Sequence, residues 1–168
     1  LMTEWHLAQM NVARARYPLD DPRLSGFVGN LDRINALADD SPEFVWRLQS
    51  DTGNATDILV SDDPNLIVNM SVWTDRQSLF DYVYRTAHRE IMAKRRQWFE
   101  RPDAAYQVLW WVPAGSRPTP AEGMARLDAL RRDGPTPFAF TFKSVYPPGA
   151  EGGPSTDMAP DPYCVGWS

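Results

Sequence analysis

The sequence predicts an α+β fold in which an antiparallel sheet carries helices. Three observations point there: two stretches with period-two alternation that begin apolar-rich strands, a long helix stripe between them, and a strand that runs directly into a second helix. At 168 residues, with 43% hydrophobic and 12% aromatic content, the chain has enough apolar surface for one domain.

Trp5 to Arg14 alternates as the first strand, with Ala8, Met10 and Val12 on one side and Leu7, Gln9 and Asn11 on the other. Asp20-Asp21-Pro22 then starts a helix, an Asx cap ahead of a proline whose missing amide is not needed in a first turn. Leu24, Phe27, Val28, Leu31, Ile34, Leu37 and Ala38 form its apolar stripe, and Ser41-Pro42 ends it. Phe44 to Gln49 reads as a second strand with Phe44, Trp46 and Leu48 on one side, and Ala55 to Val60 as a short further one.

From Asn65 the chain alternates again, Val68, Met70 and Val72 opposing Asn69, Ser71 and Trp73. An amide, a hydroxyl and an indole on one face suggest a half-sheltered cavity wall, and the apolar opposite face is expected to meet the helices. Thr74 with Gln77 reads as a capping box, and the following segment lacks Pro and Gly up to Arg101, with a bend possible at Thr86 and Ala87. Ala104 to Val112 is a strand apolar on both faces, which places it inside the sheet. Thr119-Pro120-Ala121-Glu122 caps a further helix that Gly134 ends, and Phe138, Phe140 and Phe142 alternate as a last strand. Residues 2–146 thus form a single domain, and 147–168 a Pro/Gly-rich C-terminal tail. The core order, βαββαβ, is the ferredoxin-like arrangement, here with an extra C-terminal helix and strand.

Composition excludes several functions. No apolar run approaches the roughly 18–20 residues that cross a bilayer, and the amino terminus lacks a signal-peptide layout, so a cytoplasmic protein without membrane attachment is expected. A net charge of −5 gives no general footprint for nucleic acid, and one cysteine and two histidines give no zinc constellation. Leu1 ahead of Met2 reads as an expression remnant.

Across Trp5 to Lys143, through LAQMNVAR, NMSVWTD, RRQWF, VLWWVPAG and LRRDGPTPFAFTF, the chain resembles the DUF3291 proteins, a family without an established activity. More broadly it is similar to the dimeric α/β barrel superfamily, with its antibiotic-biosynthesis monooxygenases and IsdG-type haem-degrading enzymes. The resemblance implies a homodimer and a small-molecule substrate. In the cofactor-independent monooxygenases an Asn and a Trp four residues apart line the cavity, which Asn69 and Trp73 match. The haem branch implies Asn11, Trp73 and His88 around a haem, with His88 as axial ligand. The leading expectation is an oxidising tailoring enzyme for an aromatic or polyketide-like substrate, needing no cofactor. Asn69, Trp73 and His88 are its catalytic candidates; Gln9, Asn11, Ser71 and Trp46 are its substrate-binding candidates. The alternatives are a haem-binding enzyme and a non-catalytic ligand-binding dimer. Against each sharp assignment stands a bland one: strand tryptophans are more often core, amides satisfy buried backbone, and a lone helix histidine is more often surface.

Overall fold

The computed structural model describes residues 4–49, 61–86 and 89–149, the side chains of 85–93 excepted. The elements run β1 (Trp5–Arg14), a 3-10 turn (Pro22–Leu24), α1 (Ser25–Asp39), β2 (Phe44–Arg47), β3 (Leu66–Trp73), α2 (Arg76–Thr86), α3 (Arg89–Trp98), β4 (Gln107–Pro113) and α4 (Pro120–Asp133). The expected strand at 55–60, the bend position at Ala87, His88 and the tail from 150 lie outside the described residues.

The antiparallel sheet has the order β2-β3-β1-β4, the ferredoxin-like order. In β1, Leu7 pairs with Trp73 of β3, Gln9 with Ser71 and Asn11 with Asn69; across its other edge Gln9 pairs with Leu109 and Asn11 with Gln107 of β4. β1 is central because it pairs along both edges, with β3 and with β4, and its faces are covered as well: Leu7, Ala8 and Met10 are wholly buried. β4 is an edge strand and not an interior one. Its apolar faces are buried by chain that follows it, and its outer edge is held by the Leu109–Phe140 pair, with N–H to O distances of 2.8 and 2.9 Å.

The helices divide differently from the sequence expectation. On the face of Ala8, Met10, Val68, Met70, Val72, Val108 and Trp110 lies α4, through Leu127, Leu130 and Ala129. The opposite face, with Leu7, Trp73 and Leu109, receives α1 through Ile34, Leu37 and Ala38, and α2 through Leu79, Tyr82 and Val83. Trp73, read as a cavity-facing ring, is instead the apolar seat for α2: it stacks on Tyr82 at 4.9 Å and meets Phe44 edge-on at 5.4 Å. A third cluster, Ala15, Leu24, Ile67, Trp98 and Phe99, closes the far end, with the Phe27 ring edge-on to Phe99.

Local chemistry explains the remaining departures. Asp21 caps a 3-10 turn, its carboxylate accepting from the Arg23 N–H, and α1 starts only at Ser25. At α2 the cap is Asp75, whose carboxylate accepts from the Ser78 N–H at 2.8 Å. The Thr74 hydroxyl is directed instead to Glu43, and Gln77 donates forward to Asp81, so no Thr74–Gln77 box forms. A charged acceptor at the first turn outcompetes a hydroxyl because it also favours the positive end of the helix dipole. The expected strand through Phe138 and Phe142 is two turns, bridging Thr136 to Ala139 and Thr141 to Ser144. In each the threonine Oγ1 accepts from the N–H three residues on, giving the backbone a local alternative to a ladder.

Candidate functional site

On the face covered by α1 and α2, polar side chains form two adjoining rows across the sheet. One row is Asn69, Asn11 and Gln107 from β3, β1 and β4; the next is Ser71 and Gln9, ending at Leu109. The rows lie between the Leu7–Trp73–Leu109 cluster and the Ile67–Trp98–Phe99 cluster. Gln9, Ser71 and Gln107 are 1%, 4% and 6% exposed, Asn11 is half-buried and Asn69 is exposed. The wall is therefore roofed at one end and open at Asn69.

Gln9 organises it. Its Nε2 donates to Asn69 Oδ1 at 2.8 Å and to Ser71 Oγ at 2.9 Å, while the Trp73 indole N–H donates to the same Ser71 oxygen at 2.8 Å. Beyond these bonds, Gln9 Oε1, Asn11 Oδ1 and Gln107 Nε2 are buried with no hydrogen-bond partner. Buried polar atoms are almost always partnered, and a bare one costs about 1–3 kcal/mol, so three in one patch mark a surface shaped for something polar. Arg47, beside Ser71 in register, is engaged with Asp39 at 2.9 Å.

The structure brings Asn11, Gln9, Asn69, Ser71 and Trp73 together as expected residues of one face, with Trp73 supporting the wall from within the core. Trp46 does not join them. A β-bulge between Phe44 and Trp46 puts Phe44 against Trp73 and sends Trp46 to the opposite face, where it packs on the α4 side. Gln107 was not among the sequence candidates. Its only signal is alternation with Leu109 and Trp111, and placing it beside Asn11 requires the strand pairing. His88, the residue expected as haem ligand, lies outside the described residues.

No group of metal-ligating side chains occurs among the described residues. A cavity of about 270 Å³ lies elsewhere, on the α4 side at the end of β1, lined by Val12, Arg14, Leu66, Glu100, Tyr106 and Arg131 among others. There Arg14 pairs with Asp63 and Glu100 and Arg131 donates to the Ala105 carbonyl, whereas the amide rows keep buried polar atoms without partners and are the better candidate.

Topology and wall together define a ferredoxin-like α+β protein with an amide-rich sheet face under two helices. The chain belongs to the family described as Domain of unknown function (DUF3291), whose model matches residues 6–154. No curated protein matches it. Among solved structures, SnoaB, a cofactor-independent oxygenase from Streptomyces nogalater, is similar at 15% identity and a TM-score of 0.36, over 68% of this chain and 96% of that one. The NE2512 protein of unknown function from Nitrosomonas europaea is similar at 15% identity and a TM-score of 0.36, over 71% and 99%. At that level neither likeness carries functional weight. Among the described residues, no helix is long and apolar enough to cross a membrane.

Proposed function

We propose that the chain is a small-molecule tailoring enzyme of the antibiotic-biosynthesis monooxygenase type, oxidising an aromatic or polyketide-like substrate held against the amide rows. The observation that carries this reading is the unmet hydrogen-bonding capacity of Gln9, Asn11 and Gln107 beside an exposed Asn69. Amide and hydroxyl donors fixed in a sheet can hold a substrate carbonyl and stabilise the oxyanion that forms when a neighbouring C–H is lost. The proton leaves to water at the exposed Asn69 end of the wall. The resulting enolate reduces O₂, and a methylene becomes a carbonyl: the carbon gains one oxygen atom, and the second oxygen leaves with the two hydrogens as water. The substrate is the reductant, and the chain's part is to bind, orient and limit water.

The test is oxygen uptake with a panel of anthrones. Accelerated conversion to the anthraquinone is expected, reduced at least about tenfold in Asn69→Ala, which removes an exposed amide together with the acceptor of one Gln9 N–H. Rates equal to protein-free buffer across the panel would refute oxidation, and binding without turnover would favour a ligand-binding protein.

A further inference from the structure

We propose that the amide rows recognise a ligand edge bearing a hydrogen-bond acceptor next to a donor, as in a cyclic amide, with Gln107 and the Ser71 hydroxyl meeting the acceptor and Asn11 and Gln9 the donor. The inference rests on the reading of this face as a small-molecule site and adds the polarity of the edge it takes.

Ser71 decides half of it. A hydroxyl has two lone pairs and one hydrogen, and Ser71 Oγ already accepts from Gln9 Nε2 and from Trp73 Nε1. An indole nitrogen can only donate, so that contact cannot reverse. What Ser71 has left is its O–H, which makes it a donor toward the ligand; with both lone pairs engaged it is not a nucleophile. Trp73 is accordingly a positioning residue that acts through Ser71. Gln107 Nε2 is a second donor, buried and without a partner.

The acceptors stand beside them. Gln9 uses its nitrogen on Asn69 and Ser71, which leaves Oε1 over, and Asn11 Oδ1 is buried and likewise unpartnered. Turning the Gln9 amide over exchanges a surplus oxygen for a surplus nitrogen, and the wall still offers both kinds. Neighbouring strands lie about 5 Å apart and successive residues of one face about 7 Å apart, so these groups span a patch that suits one edge of a planar molecule. A ligand with acceptors only would leave Gln9 and Asn11 bare; one with donors only would leave Gln107 bare.

Calorimetric titration with two probes of the same outline tests this: 2-quinolone, whose lactam edge carries N–H and C=O, and coumarin, in which an oxygen replaces the N–H. The wild-type chain is expected to bind 2-quinolone about tenfold more tightly, the worth of one buried hydrogen bond. Asn11→Ala is expected to shrink that preference, and Gln107→Leu to weaken both probes alike; circular dichroism checks that each variant is folded. Equal affinity for the two probes in wild type, or an unaltered preference in Asn11→Ala, overturns the inference while leaving the site standing. Failure of both probes to bind overturns the inference and the site together. Binding is read without turnover, so a negative oxygen-uptake result does not bear on it.

Discussion

At the scale of single residues, Trp73 shows how one side chain serves both the core and the site. Its ring packs on Tyr82 and Phe44, and its N–H holds Ser71. Trp73→Phe keeps a ring and removes the donor, so a loss of about 1–2 kcal/mol is expected in denaturant unfolding. Ser71→Ala made in that variant should add less than it does in wild type, because the two share one bond. Fully additive losses would show that the bond contributes nothing. Asp21 gives a second residue-level test. Arg23 holds its carboxyl down to about 2 through a side-chain hydrogen bond and its backbone N–H. A depressed carboxyl contributes stability above its unfolded value near 4, and that contribution fades as pH falls toward 2. The gap in melting temperature between wild type and Asp21→Asn should therefore close across that window, and a gap constant from pH 5 to 2 would count against the ion pair.

At the scale of elements, α4 lies so close to the sheet that Gly123 has no room for a side chain: a Cβ there would collide with the Met10 sulfur. Gly123→Ala gains helix propensity but must displace the Met10 side chain within a packed core, and a net loss of about 1–3 kcal/mol is expected in chemical denaturation. A stabilised Gly123→Ala would mean that Met10 moves aside at little cost. This contact also marks where sequence reasoning stopped. The alternation of β1 and β3, the caps at Asp21 and Thr119 and the stop at Gly134 were legible because each is a local pattern. Which helices cover which face was not. Gln9, Asn11, Asn69 and Ser71 make their face read as a half-sheltered cavity wall away from the helices, although Leu7, Trp73 and Leu109 on that same face favour full burial. The bulge that turns Trp46 away, and the threonine turns at Thr136 and Thr141, are decided by backbone hydrogen bonds that composition does not announce. Five of the expected site residues converge because strand register follows from the alternation; Gln107 required the pairing of β1 with β4.

At the scale of the whole molecule, both sheet faces are occupied within one chain, by α4 on one side and by α1 and α2 on the other. The homodimer that the family resemblance implies, if closed sheet to sheet, requires α4 to leave. Among the described residues, the large apolar side chains exposed without that step, Val28, Val45, Tyr84 and Phe138, lie on four different segments. Sedimentation at micromolar concentration tests this association: a stable dimer would point to a contact surface other than the sheet, and a single-chain mass would remove the basis for a shared barrel. Truncation after Tyr146 is expected to leave the fold intact, since that residue's carbonyl, which accepts from the Trp111 indole at 2.7 Å, is retained. A truncated chain without a cooperative melt would place the tail in the core.

The chain after β4 passes from α4 on one face, with Ala139 in that core, round the sheet edge at Phe140, to Phe142 and Val145 in the core of the other face. This strap ties two separate apolar clusters to one event. Releasing it bares the β4 edge and uncovers both clusters together, so it has no inexpensive partial opening. In native-state hydrogen exchange, the Leu109 and Phe140 amides should therefore exchange only through the global transition, with the same dependence on denaturant as the amides of central β1.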